Sequence, residues 1–322
     1  MKKSLLALAA LTAFAGAASA QSSVTLYGRV DLSIGKNIGS DAKFMSNGSG
    51  SRVGLRGTED LGGGMSALFN IEHRFEADTG IVGSGFSGAS APQPRFWHGR
   101  SIVGLQGGFG QVVFGREYTT NFLGTQLVGD PWGYDTVATQ AGVTGLGIGK
   151  VRNDSSATYR FSAGGFGFGA QIAEATDTFA NLQSKPVNFN LGYSAGPLFA
   201  GFGYEKTGAE AAAKEKMWSF GASYNLGMVK PGFYYAKGTT AADVDRKSWM
   251  LSATAPIGAG EFRAAYGVRK SNDENDMKRF SLGYHYAMSK RTTLYVDFAN
   301  EGVDTTAGVN KTAYDVGIKH NF

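Results

Sequence analysis

The side chains in this chain that could do chemistry are mainly arginines. Arg52, Arg56, Arg100, Arg116, Arg152 and Arg160 stand in or beside apolar, strand-like stretches. A guanidinium stays charged at any working pH, and its planar fork grips a carboxylate or phosphate through two hydrogen bonds. Residues of this kind bind or steer anions. Three acids, Glu117, Asp130 and Asp135, occur together in one long segment and could set up a field opposite the arginines, or be ordinary solvated charges. Bond-breaking chemistry is poorly provided for. The four histidines, His73, His98, His285 and His320, include no two at metal-ligand spacing, and cysteine is absent, so no metal or other cofactor is expected. A serine hydrolase needs a Ser–His pair backed by a polar orienter. His285 near Ser281 is the sole candidate, and an enzyme is not the expected reading. Glycine-rich stretches read as turns, since none opens a helix that could cradle phosphate.

The elements that must position the arginines are strands. Val24, Leu26, Val30, Leu32 and Ile34 alternate with Thr25, Tyr27, Arg29, Asp31 and Ser33. At the other end, Tyr314, Val316, Ile318, His320 and Phe322 alternate with Ala313, Asp315, Gly317, Lys319 and Asn321. Period two puts one set on each face of a strand. A soluble sandwich alternates too, but these segments run to about ten residues, the length a tilted membrane strand needs. The polar face also collects charge in strand after strand. Parity then places the arginines. Val53 and Leu55 face lipid, so Arg52 and Arg56 face a lumen. Val103 and Leu105 face out, so Arg100 faces in. Tyr159 and Phe161 face out, so Arg152 and Arg160 face in. Arg116 is ambiguous: strict alternation with Val112 and Phe114 would send it to lipid, where it costs roughly 2–4 kcal/mol at midplane. A bend into the following segment is the better expectation. Asp31, Glu72, Glu76, Asp297 and Asp315 share the inner parity and could neutralise some of the arginines.

The ends and the composition agree. Lys2 and Lys3, an apolar run from Leu5 to Ala15 and the closing Ala18-Ser19-Ala20 read as a cleaved export signal over residues 1–20. The run is too short to span roughly 30 Å of hydrocarbon. Removing it takes two of the 31 Lys+Arg and none of the 26 Asp+Glu, leaving a net charge of +3 on residues 21–322. That is too mild to argue for nucleic acid. No later run of eighteen apolar residues suggests a membrane helix. Trp97, Trp218, Trp249, Tyr284, Tyr286 and Phe322 suit the interfacial girdles of a barrel.

Turns fix the strand count. Tight turns centre near Gly164, Ala195, Leu226, Ile257 and Met288, each 31 residues after the last. Gly57–Gly64 and Gly107–Gly110 fill the same role. Seven short turns and two terminal strands predict sixteen strands, all-β and antiparallel, in one domain over 21–322. Eight longer polar segments alternate with the turns, near 35–50, 77–95, 117–154, 176–186, 206–216, 238–247, 270–278 and 300–311. Short turns at one rim and long loops at the other fit a bacterial outer-membrane barrel. The 117–154 segment is far the longest. Phe122, Leu123, Leu127, Trp132, Tyr134, Val137 and Leu146 give it apolar surface, so it is expected to fold into the lumen.

With these elements in place, the chain resembles the Gram-negative trimeric porins, in particular those typical of β-proteobacteria. The resemblance rests on Ser22-Ser23-Val24-Thr25-Leu26-Tyr27-Gly28, on Ser51-Arg52-Val53-Gly54-Leu55-Arg56-Gly57-Thr58-Glu59-Asp60-Leu61-Gly62-Gly63-Gly64, on Gly110-Gln111-Val112-Val113-Phe114-Gly115-Arg116 and on the ending His320-Asn321-Phe322. It implies a sixteen-stranded barrel, a homotrimer, a third loop folded inward as a constriction, and a terminal aromatic, Phe322, that serves as an assembly signal. In anion-selective members arginines face that loop. Arg52 and Arg100 match two of them, and Arg152 matches a third less securely. The expected function is passive diffusion of small hydrophilic solutes and ions, anions preferred, across the outer membrane and among its lipids. The alternatives are a substrate-specific porin for phosphate or organic acids, and a surface protein whose loops serve adhesion or phage attachment.

Overall fold

The computed structural model describes residues 23–82, 96–177, 182–207, 215–302 and 310–322. Residues 1–20, expected to be an export signal, and parts of the second, fourth, fifth and eighth long segments lie outside them. Sixteen long strands follow one another: β1 (Ser23–Lys36), β2 (Arg52–Gly62), β3 (Met65–Arg74), β4 (Ser101–Gly107), β5 (Gly110–Tyr118), β6 (Arg152–Ala163), β7 (Phe166–Ala173), β8 (Val187–Ala195), β9 (Leu198–Lys206), β10 (Lys216–Tyr224), β11 (Lys230–Thr239), β12 (Asp245–Ile257), β13 (Gly260–Ser271), β14 (Glu274–Ala287), β15 (Thr292–Glu301) and β16 (Thr312–Asn321). A short piece, Lys43–Ser46, pairs with the upper part of β1 on the side that β2 occupies lower down, and so continues β2. Every strand pairs antiparallel with its sequence neighbours, and β1 pairs with β16 from Arg29↔Asn321 to Lys36↔Tyr314. The sheet is a closed barrel with no free edge, as hydrocarbon requires of a strand-built span. Phe322 completes the seam: its N–H donates to the Gly28 carbonyl, and the Gly28 N–H returns the bond, both at 3.1 Å.

The alternation read from the sequence defines the two faces. On β1, Val24 is 66% and Leu26 60% exposed, whereas Asp31 is 0% and Ser33 2%. Exposed apolar residues outside and buried polar ones inside invert the rule for soluble proteins, and the polar side is the lumen. Apolar burial occurs chiefly where the segment between β5 and β6 meets the inner wall. Trp132, Ala138, Val143, Leu146 and Ile148 of that segment pack on Met217, Tyr234, Ala236, Met250 and Ala265 of the barrel.

One expected loop is absent. Residues 270–278 form a two-residue hairpin instead, with Ser271 paired to Glu274. Asn272 and Asp273 take φ of 47° and 69°. Positive φ at both central residues is the turn that matches strand twist, and Asn and Asp tolerate it best after glycine. The polar composition of this stretch belongs to strands that rise beyond the apolar band.

Candidate functional site

The long segment is held against the inner wall along most of its length. Thr125 Oγ1 lies 2.6 Å from Ser219 Oγ on β10. Tyr234 on β11 donates to the Thr144 carbonyl at 2.6 Å, and Ser248 on β12 to that of Val143 at 2.7 Å. Gln140 donates to Ser281 on β14, and the Trp132 indole to Asp297 on β15 at 2.7 Å. Arg246, Arg269 and Arg279 each donate to a carbonyl of the segment, those of Leu146, Gly142 and Val137. Wall glycines let it lie close. A Cβ at Gly267 would sit 2.9 Å from both Val143 methyls, and one at Gly203 would sit 2.1 Å from Asn121 Oδ1. The segment thus narrows the lumen from one side.

Facing that narrowing, β2 to β6 bring the arginines together in two linked groups. In the first, Arg100 Nε donates to Glu117 Oε1 at 3.0 Å, and Arg160 reaches Glu117 Oε2 at 3.4 Å. In the second, Glu72 accepts from Arg74 Nε at 3.0 Å and stands 3.8 Å from Arg52. Tyr118 joins the groups. Its hydroxyl accepts from Arg74 at 3.0 Å and from Arg152 at 2.5 Å. The Arg152 guanidinium lies 4.1 Å from the centre of its ring and that of Arg100 5.8 Å. Across the lumen mouth, Arg29 pairs with Asp135 of the segment at 3.3 Å. The site therefore holds six guanidiniums, Arg29, Arg52, Arg74, Arg100, Arg152 and Arg160, against the carboxylates of Glu72, Glu117 and Asp135. Asp135 is as open as Arg29, at 25% against 24%, but the other two carboxylates are shielded where the arginines are not. Side chains of Arg100, Arg160, Arg29 and Arg52 keep 26, 25, 24 and 17% of their surface open, while Glu117 keeps 0% and Glu72 5%. Positive charge faces the passage, and most of the negative charge lies behind it.

Other expected residues fall elsewhere. Arg56 sits nearer the short-turn rim, its guanidinium 5.1 Å from the Tyr27 ring centre. Arg116 is turned aside by a bulge. Gly115 takes φ of 120°, and β5 loses register with β6 between Gly115 and Glu117. Arg116 then pairs with Asp154 at 2.6 Å and donates to the His98 carbonyl. Glu117 does not oppose the arginines: it ends β5 on their own side, between two of them. Asp130 does not line the passage either. Its carboxylate accepts from the backbone N–H of Trp132, Tyr134 and Gln140 and from the Thr139 hydroxyl, and so sets the fold of the segment. Burial pushes this carboxyl above its ordinary value while the four donors pull it down. Of the three acids, Asp135 alone stands across from the groups. Arg29 and Arg74 belong to the site, yet sequence reasoning left both out. Inner parity marks Arg29 directly, and Arg74 shares the strand face of Glu72.

A closed barrel with an apolar exterior, narrowed by an internal segment and lined there by charge, is a transmembrane diffusion channel. Residues 7–306 match the model of the Gram-negative porin family, and the chain belongs to that family. It is an outer-membrane porin. Over 365 aligned positions spanning all of both chains it is 34% identical to outer membrane porin protein 32 of Delftia acidovorans. It is 35% identical to an outer membrane porin protein of Bordetella pertussis over 65% of this chain and 60% of that one. The solved structure of an anion-selective porin from Comamonas acidovorans superposes with a TM-score of 0.77 at 27% identity, covering 94% of this chain and 100% of that one.

Proposed function

We propose that this porin is a passive channel with a preference for small anions, set by the arginine groups facing the 117–154 segment. The exposure difference carries the reading: the arginines keep open surface toward the passage while Glu117 and Glu72 are buried behind them. In a narrow pore with a low-dielectric wall, such a surface lowers the barrier for anions and raises it for cations. The similarity to a porin described as anion-selective supports it. Membership of the porin family supports reading the protein as a channel rather than an enzyme. The reading also takes the working form to be a homotrimer, with residues 1–20 removed on export and Phe322 as the assembly signal. The test is the zero-current potential of single channels in a potassium chloride gradient. Chloride preference at 0.1 M that weakens at 1 M is the expected result, and equal permeability at both would refute it.

A further inference from the structure

Tyr118 joins the two arginine groups, and the way it does so leaves one of its atoms unused. It is the last residue of β5, where the chain leaves the wall for the long segment, and it is opposite Arg152 on β6. Backbone, ring and hydroxyl are all held. The N–H donates to Glu117 Oε1 at 2.6 Å, and the carbonyl accepts from Gln171 Nε2 at 3.1 Å. The ring stacks on that of Phe122, 5.7 Å between centres and 9° between planes. The hydroxyl oxygen accepts from Arg74 and from Arg152. A phenol oxygen has two lone pairs and one hydrogen, and a guanidinium only donates. Both bonds therefore use lone pairs, and the hydrogen points away from both arginines. Among the described residues it meets no acceptor. Tyr118 is half-buried, so this O–H is left to the passage.

A neutral acceptor also does what a carboxylate cannot. Glu117 and Glu72 gather arginines and cancel part of their charge. Tyr118 gathers Arg74 and Arg152 and cancels none. Arg152 has no carboxylate partner among the described residues; its guanidinium rests on the Tyr118 hydroxyl and, at 4.1 Å from the centre, on the ring. Arg100 stands 5.8 Å from the centre of the same ring with 26% of its side chain open. A fixed O–H thus sits among guanidiniums. We propose that Tyr118 is a specificity-determining residue of the anion passage: its O–H and the guanidiniums of Arg100 and Arg152 form a donor set that favours oxyanions, carboxylate or phosphate, over halides. The inference rests on the anion preference proposed above and adds a discrimination among anions. Arginine charge attracts any anion. An oxyanion has two or more acceptor oxygens, so one takes the phenol hydrogen in a short O–H···O⁻ bond while another takes a guanidinium N–H. A halide is a single centre and gains less from two directed donors.

The test is the salt activity that half-saturates single-channel conductance of the full chain, read in potassium acetate and in potassium chloride. The two salts screen alike, so the ratio isolates the anion. The unaltered protein should half-saturate at about threefold lower activity in acetate, the worth of one modest hydrogen bond. Tyr118→Phe keeps the ring and removes the hydroxyl. It should raise the acetate value about threefold and the chloride value by less than about half that factor. Arginines merely loosened by the change would raise both values together, and that outcome would overturn the proposal. O-methyltyrosine at position 118 keeps the acceptor oxygen for Arg74 and Arg152 but has no hydrogen to give. It should lose the acetate preference as fully as Tyr118→Phe does, and a retained preference would also overturn the proposal. Tyr159→Phe removes a hydroxyl bound to the Phe109 carbonyl and should keep the preference; an equal loss there would show that the effect is not local to the passage and would sink the assignment. Failure of the anion reading shows separately, as equal chloride and potassium permeability in the salt gradient. Chloride preference over potassium with equal half-saturation in the two salts would refute the role of Tyr118 alone.

Discussion

Replacing Arg52 and Arg100 together by glutamine tests the selectivity reading most directly. The change keeps polarity and leaves Glu117 paired with Arg160 and Glu72 paired with Arg74. Locally, six guanidiniums against three carboxylates become four against three. For an ion passing about 6 Å from each lost charge, the unscreened interaction at the dielectric constant of water is roughly 0.7 kcal/mol per charge. With a Debye length near 10 Å at 0.1 M salt, the two charges together retain about 0.8 kcal/mol. The anion loses that amount and the cation gains it, so the chloride-to-potassium permeability ratio should fall about tenfold at 0.1 M. At 1 M the Debye length is about 3 Å, and the same change should be about twofold. The assay is the reversal potential across a planar bilayer in a potassium chloride gradient at both mean concentrations. Lys206→Gln/Lys237→Gln removes the same charge from the outward face and should move the potential far less. A double arginine variant with the parent's reversal potential at 0.1 M would refute the assignment. A shift that does not shrink at 1 M would refute the electrostatic mechanism.

Unboiled protein in mild detergent should migrate well above its monomer mass and collapse on boiling; a monomer under all mild conditions would remove the trimer. Trp132→Phe keeps the ring but removes the indole donor to buried Asp297, leaving His285 as its remaining side-chain partner among the described residues. That should cost about 1–3 kcal/mol, read as a lower temperature of heat collapse and noisier open-channel current. An unchanged collapse temperature would show that the contact does not hold the segment. Gly267→Val should press on Val143 at a cost of about 1–3 kcal/mol and displace the segment toward the axis, lowering single-channel conductance. Unaltered conductance would place the narrowing elsewhere.

The barrel was legible because one signal repeats through it. Period-two alternation set the face of each strand, and short turns spaced 31 residues apart set the strand count. The same parity put Arg52, Arg100, Arg152 and Arg160 on the inner wall, where the structure groups them. What alternation does not encode is depth along a strand or contact across the lumen. Parity alone does not separate Arg56, low in the barrel, from Arg52 four residues earlier. Polar composition made 270–278 read as a loop, because polar strand above the apolar band looks the same in sequence as polar loop. Glu117 and Asp130 read as acids of a loop. Their roles depend on which donors the folded segment brings to them, and those donors come from contacts that local patterning does not contain.

The seam between the first and last strands has a consequence for how this molecule is made. Arg29 and Asn321, side by side with a 3.0 Å bond, are 292 residues apart in the chain. No order of synthesis lets that pair form early. Until Phe322 meets Gly28, the growing sheet has two open edges, each a row of unpaired N–H and C=O groups that another chain could extend. Closure is therefore a late, whole-chain event with the slow kinetics of long-range pairing. A protein cut short by one strand would be an open sheet with two adhesive edges rather than a slightly smaller channel. The chain has to be kept from pairing with its copies until Phe322 has met Gly28.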